Sequence, residues 1–174
     1  MRLAFEMRGV VAAAALMLAA TGAAHAGSDL GNWRVDVGGD GQVTASLYAT
    51  NKLLTGGGAL GYSPVLTLAC RPKGEPRWSE WLQLSDAVSA SQKITMSVAV
   101  DGGSKFNESW SVGPRGRTLV REGSDGIKRL VSANRLLLSW RFGLLSGRGE
   151  ADFELAGLAE AVGQIAANCN TDPP

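Results

Sequence analysis

The sequence predicts a mostly β domain, an antiparallel sandwich-like or curled sheet of about eight strands with a C-terminal α-helix. Three observations support this fold class. Apolar and polar residues alternate with a period of two through most of residues 31–154, which is typical of half-buried strands. Clusters of glycine and aspartate separate the alternating runs. From Leu158 onward the apolar residues recur instead at helical spacing.

Eight alternating runs predict the strands of this sheet. They lie at 33–37, 43–49, 65–71, 78–84, 94–100, 106–112, 136–142 and 151–155. The third run is apolar on both faces, which favours a strand in the interior of the sheet. The Gly-Gly-Asp-Gly sequence at 38–41 and the Asp-Gly-Gly sequence at 101–103 are typical of hairpin connections.

Two stretches interrupt the alternation and predict helices. Ser124 or Asp125 fits the N-cap of a short helix that carries Ile127 and Leu130. The second helix carries apolar residues at 158, 161, 162, 165 and 166 and reaches Cys169 on the same face. We therefore expect this helix to lie on the sheet and to present its last turn to a strand.

The first 26 residues follow the pattern of a cleavable secretory signal. Two arginines precede an apolar run at 10–20, and an Ala-His-Ala triplet at 24–26 supplies the small residues of a cleavage site. We predict cleavage after Ala26, which leaves 27–174 as a single β-rich domain in the periplasm or outside the cell. The chain has one histidine, His25, so the exported domain lacks the commonest general base and metal ligand.

The charge balance argues against several classes of protein. Lysine and arginine number 17, and aspartate and glutamate number 16. A nucleic-acid-binding domain is usually clearly basic, so we expect no nucleic-acid partner. No stretch after the signal is long and apolar enough to predict a membrane span. We also expect no metal and no cofactor, because zinc needs more suitable ligands than the sequence offers.

Cys70 and Cys169 are the two cysteines of the chain. In an oxidising compartment an isolated pair favours a disulfide over two free thiols. Such a bond would close a loop of about 100 residues and stabilise the domain by on the order of 4–5 kcal/mol in the chain-entropy model. It would also fasten the C-terminal helix to the sheet.

A hydrolase is an alternative that the acidic residues near the C-terminus raise. Glu150, Asp152 and Glu154 lie at a period of two and would share one face of a strand. Paired carboxylates carry out acid–base chemistry in glycosidases, but the same spacing is typical of a solvated strand face, which we favour. No serine and lysine lie at the spacing of a Ser–Lys nucleophile. We therefore expect no catalytic residues.

Candidate partner-binding residues come from the uneven charge and from two tryptophans. Residues 101–148 include nine basic and four acidic residues, which indicates either a basic surface for an anionic partner or an ordinary solvated face. Trp78 and Trp81 lie on opposite faces of a predicted strand, so one would be buried and the other exposed for contact. The densest basic residues are Arg115, Arg117, Arg121, Lys128 and Arg129.

Four elements in order resemble a known family. They are the cysteine-ending strand 63–71, the tryptophan strand 108–111, the helix-to-strand run 127–142, and the segment 151–158 that leads through a helix to Cys169. Together they resemble the VasI/TagO family, periplasmic proteins often encoded with bacterial type VI secretion systems. The resemblance covers roughly 44–169 and is sharpest in the Pro-x-Leu-x-Leu-x-Cys strand and the Phe-x-Leu-x-Gly-Leu helix entry. It implies a secreted accessory role and a Cys70–Cys169 disulfide, and it supplies no known active site to transfer to this sequence.

These observations lead to two hypotheses of function. The first is a non-enzymatic periplasmic accessory protein that binds another envelope component, with a type VI secretion apparatus as the partner that the resemblance implies. The second is a small periplasmic binding module for an anionic ligand or an envelope polymer. It would use the basic stretch 115–129 and an exposed tryptophan.

Overall fold

The computed structural model describes residues 29–174 except 57, 59, 76, 91 and 144–146. The predicted signal peptide and its cleavage after Ala26 lie outside the described residues. Within them, ten strands form one antiparallel sheet, and a separate two-stranded hairpin and two α-helices complete the fold. The prediction of a mostly β fold with a C-terminal helix is confirmed.

Strands that are adjacent in the sheet are not always consecutive along the chain. Its order is β1-β2-β3-β6-β7-β10-β9-β8-β11-β12, and β4 pairs with β5 in the hairpin. The strands are β1 (Asp29–Leu30), β2 (Trp33–Val37), β3 (Val43–Tyr48), β4 (Leu53–Leu54), β5 (Gly61–Tyr62), β6 (Val65–Cys70), β7 (Trp78–Gln83), β8 (Lys93–Val100), β9 (Phe106–Val112), β10 (Thr118–Glu122), β11 (Arg135–Arg141) and β12 (Arg148–Glu154). The helices are α1 (Asp125–Leu130) and α2 (Leu158–Cys169), and a 3-10 turn spans Pro114–Gly116.

The sheet curls until its last strand meets the segment that follows β3. The backbone N–H of Thr50 donates to the carbonyl of Asp152 at 2.8 Å. Asn51 Nδ2 donates to the carbonyl of Glu150 at 2.8 Å, and the Asp152 N–H donates to Asn51 Oδ1 at 2.9 Å. These bonds cover the outer edge of β12 and draw both ends of the sheet around one core.

The period of two places the core on the inner face of this curl. In β3 the buried Val43, Ala45 and Leu47 alternate with partly exposed neighbours, because successive side chains point to opposite faces of a strand. β6 is buried from Leu66 to Cys70 and pairs with β3 and β7 along its two edges. The interior strand that the doubly apolar run predicts is confirmed.

The helix α2 covers the inner face of the sheet at β2, β3 and β6. Its buried residues are those that the helical spacing predicts: Leu158, Ala161, Val162, Ile165, Ala166 and Cys169. The predicted disulfide is present between Cys70 and Cys169, whose Cα atoms lie 6.2 Å apart. Arg77 Nη2 donates to the Cys169 carbonyl at 2.9 Å, and this contact satisfies a carbonyl at the helix end.

The strand β10 is missing from the eight predicted strands. Leu119 lies opposite Leu82 and Arg121 lies opposite Glu80, so both β10 side chains face inward. A charged side chain on the inner face interrupts the apolar alternation by which strands are recognised in a sequence. The hairpin of β4 and β5 is also missing from the prediction, because each of its strands has only two residues.

Candidate functional site

The two tryptophans of the predicted contact surface occupy different environments. Trp78 lies in the core with 6% of its surface exposed, so it cannot contact a partner while the domain is folded. Trp81 is half-buried on the outer face, where its Nε1 donates to Ser79 Oγ at 3.0 Å. Of this pair, only Trp81 remains a candidate for contact.

Arg121 belongs to an internal ion-pair cluster and not to a basic surface. Its Nη1 lies 3.2 Å from Glu80 Oε2, and its Nε lies 3.3 Å from Glu108 Oε2. Glu108 also pairs with Arg129 of α1. Two of the basic residues predicted for binding, Arg121 and Arg129, are therefore neutralised by carboxylates within the domain.

The helix α1 packs closely against this ion-pair cluster. Glu80 is 3% exposed, and burial raises the pKa of its carboxyl to about 7, against the opposing effect of the Arg121 guanidinium. A Cβ on Gly126 of α1 would lie 2.1 Å from both Arg121 Nη1 and Glu80 Oε2. The close contact of helix and cluster leaves no room for a ligand, so we assign the cluster a structural role.

Arg115 and Arg117 lie at the 3-10 turn between β9 and β10, where both are exposed. Arg115 has a φ of 63°, a left-handed conformation that few residues other than glycine adopt. Within the described part of the chain, neither side chain forms an ion pair with a carboxylate. These two arginines remain available for contact, whereas Arg121 does not.

The acidic residues of β12 point to the outer face, as the solvated-face interpretation predicts. Arg135 Nε donates to Asp152 Oδ1 at 2.7 Å, and this hydrogen bond lowers the pKa of the Asp152 carboxyl. Glu150 Oε2 accepts a hydrogen bond from Ser139 Oγ at 3.1 Å. An aspartate held ionised in this way is a poor general acid, so the arrangement does not favour a hydrolase.

A polar groove that the sequence does not predict crosses the outer face of β9, β8, β11 and β12. Asn107, Ser97, Ser139 and Glu150 lie opposite one another across these four strands. A cavity of about 350 Å³ opens over this row. It is lined by Thr95, Ser97, Lys105, Asn107, Ser139, Trp140, Arg141, Arg148, Gly149 and Glu150.

Two arginines stand side by side at one end of the groove. Arg141 and Arg148 are directly opposite in the β11–β12 ladder, and both are exposed. In the described residues neither forms an ion pair. Like charges in directly opposite positions destabilise a sheet, so this pair is not explained by folding. Their planar N–H donors suit the oxygens of a phosphate or carboxylate.

The groove combines these cations with neutral hydrogen-bonding groups. Lys105 adds a third positive charge, and Glu150 is the single acidic residue among the lining groups. Ser97, Ser139 and Asn107 offer hydroxyl and amide groups beside them. The arrangement can bind an anion. One sequence feature could have indicated the groove. Two arginines flank a short glycine-rich loop, and a hairpin would place them side by side.

The described residues hold no group of three or more His, Cys, Asp or Glu side chains placed to bind a metal ion. None of the described helices has the length and apolar character needed to cross a membrane.

Comparison with known proteins gives information on the fold. No family model matches the sequence, and no curated protein matches it. The structure is similar to the crystal structure of invasion associated protein B from Bartonella henselae, with a TM-score of 0.56 and 13% sequence identity. The match covers 82% of this chain and 96% of that protein. The two chains share a fold. Nothing in this match bears on the VasI/TagO resemblance, which stays a prediction.

Proposed function

We propose that the protein is an exported binding module that recognises phosphate or carboxylate groups on another component of the cell envelope. The observation that carries this proposal is the pair Arg141 and Arg148, which lie opposite each other without a carboxylate partner in the described residues. An anion bound between the two side chains would relieve their mutual repulsion. The free energy of binding would thus offset the electrostatic repulsion between the two arginines in the folded sheet.

The disulfide supports the compartment in which this binding would occur. Cys70 and Cys169 are joined in the structure, and disulfides persist mainly in exported proteins. The N-terminal signal pattern agrees with export. In the periplasm the partners with abundant phosphate or carboxylate groups are components of the envelope itself.

The groove chemistry supports binding of an anion. Arg141 and Arg148 would supply the charge-assisted hydrogen bonds, and Ser97 and Asn107 would select for further polar groups on the ligand. Ser139 Oγ donates to Glu150 Oε2, and its oxygen can accept a further hydrogen bond from the ligand.

The proposal is tested by titrating the protein with inorganic pyrophosphate while backbone amide shifts are followed by NMR. We expect saturable shifts in β11 and β12, and we expect the double variant R141Q/R148Q to lose them. The control R115Q/R117Q also removes two arginine charges, but at the turn between β9 and β10, and it should retain the shifts. Unchanged binding by R141Q/R148Q would overturn the assignment of the groove.

A further inference from the structure

The hairpin of β4 and β5 presents apolar side chains to solvent. Leu54 is 69% exposed and Leu60 is 70% exposed. Residues 53–64 contain no charged residue, which is unusual for a surface segment of a protein. Exposed apolar side chains that occur together on a surface indicate a site of interaction.

The hairpin is fixed to the loop that follows β7. The N–H of Gly56 donates to Asp86 Oδ2 at 3.1 Å. At its other end the hairpin starts from Asn51, which is bound to the Glu150 carbonyl of β12. The chain therefore runs along β12 from Asp152 toward Arg148 before it enters β4. The two leucines are thus placed at the end of the domain where β12 begins.

The same loop holds the basic turn and the end of β11. The N–H of Leu84 donates to the Arg117 carbonyl at 2.8 Å, and that of Val88 donates to the Gly116 carbonyl at 2.9 Å. The N–H of Ser89 donates to the carbonyl of Phe142, the residue that follows β11. The apolar hairpin, the basic turn and the arginines of the groove therefore lie at one end of the domain.

This end carries exposed cations around the apolar hairpin. They are Lys93, Arg115, Arg117, Arg141 and Arg148. Asp86 is the acid of the connecting loop, and its carboxylate accepts the Gly56 N–H. Within the described residues, none of the five cations forms an ion pair. The charge of this end is strongly positive.

We infer that this end of the domain docks on a lipid bilayer with anionic headgroups. Leu54 and Leu60 would enter the boundary between headgroups and acyl chains, while the cations contact lipid phosphates. The inference rests on the proposed function, since Arg141 and Arg148 would bind the phosphate of a lipid. It names the envelope component as a membrane surface.

The distribution of apolar and charged groups favours a bilayer over a protein partner. Leu54 lies in β4 and Leu60 directly precedes β5, within an uncharged, glycine-rich stretch, and both side chains are exposed. A bilayer needs only apolar side chains that project from the surface and cations that surround them. Charge complementarity with anionic lipids then supplies the remaining attraction.

The experiment is flotation of the protein with phosphatidylcholine vesicles and with vesicles that contain phosphatidylglycerol. We expect binding to the phosphatidylglycerol vesicles and its loss at high salt. The variant L54S/L60S should bind about tenfold or more weakly, because burial of each leucine contributes to partitioning. The variant R115Q/R117Q should bind about fivefold more weakly for each charge removed.

The control is Y48S, which removes a side chain that is 68% exposed on β3 and outside the hairpin, and which should bind like the wild type. All variants share one N-terminus, so any contribution of residues 1–28 is the same in each. Circular dichroism checks that each variant is folded. Absence of vesicle binding, or wild-type binding by L54S/L60S, overturns the inference. If pyrophosphate binding persists and still depends on Arg141 and Arg148, the proposed function stands and only the membrane assignment fails.

Discussion

Glu80 and Arg121 face each other across β7 and β10 on the inner face of the sheet, with Oε2 and Nη1 3.2 Å apart. Glu80 is almost completely removed from solvent, Arg121 is 17% exposed, and Glu108 also contacts the guanidinium. Removal of one partner from a buried ion pair leaves an uncompensated charge, which usually costs about 3–5 kcal/mol. The cluster therefore makes the stability of this domain sensitive to pH and to small changes in α1.

The first prediction concerns the pH dependence of stability. The pKa of Glu80 is about 7 in the folded domain and 4.5 as its ordinary value, so the folded state holds a proton that the unfolded state releases. The free energy of unfolding should fall by about 3 kcal/mol as the pH rises from about 4.5 through 7. Urea unfolding at a series of pH values measures this change.

The variant E80Q should flatten this dependence, because glutamine does not titrate. The matched variant E122Q removes an exposed glutamate from β10 and should keep the slope of the wild type. A slope that persists in E80Q would assign the pH dependence to a different group.

The second prediction compares two glycines that lie in helices. A Cβ on Gly126 would meet Glu80 and Arg121 at 2.1 Å, so G126A should destabilise the domain by about 1–3 kcal/mol. Gly163 of α2 has no atom within 4 Å of a Cβ position, so G163A should stabilise the domain by about 0.5–1 kcal/mol. Thermal and urea unfolding of both variants measure the two effects. Equal effects in the same direction would contradict the close contact of α1 with the cluster.

The third prediction concerns the disulfide. Cys70 and Cys169 are 99 residues apart in the sequence, so reduction should lower the free energy of unfolding by about 4–5 kcal/mol in the chain-entropy model. Urea midpoints of the oxidised protein, of the reduced protein and of C70S/C169S give the difference. If the oxidised and reduced proteins unfold at the same urea concentration, the disulfide does not stabilise the helix against the sheet.

The fourth prediction concerns the carboxylates of β12. The hydrogen bond from Arg135 lowers the pKa of Asp152, so R135Q should move this pKa back toward its ordinary value. Carbon-13 NMR of the side-chain carboxyl measures the titration. R141Q, on the same strand but without contact to Asp152, should leave the value unchanged. An Asp152 that titrates identically in all three proteins would show that the ion pair does not form in solution.

The period-two pattern predicts eight of the ten strands of the sheet, but not β1, β10 or the strand order. Eight runs correspond to strands because their apolar residues face one core, and the helical spacing predicts the buried face of α2 in full. The strand β10 escapes this reasoning because Arg121 faces inward toward two carboxylates. The carboxylates that pair with Arg121 lie on β7 and β9. A local sequence pattern does not show that a charged residue is paired with residues on other strands.

The candidate groove escapes prediction for a related reason. Ser97 and Ser139 become neighbours only because β8 pairs with β11, and these strands are not consecutive along the chain. The sequence does contain the excess of positive charge in 101–148. It does not reveal that Arg121 and Arg129 are neutralised by carboxylates inside the domain while Arg141 and Arg148 are left exposed.

The contact of Asn51 with β12 has a consequence for behaviour at high concentration. An unprotected outer strand offers amide and carbonyl groups on which another molecule can add a strand, and such addition propagates into aggregates. Asn51 occupies these groups at Glu150 and Asp152 with its own side chain. Together with the Thr50 N–H bond to the Asp152 carbonyl, this side chain blocks strand addition at the part of β12 that it covers.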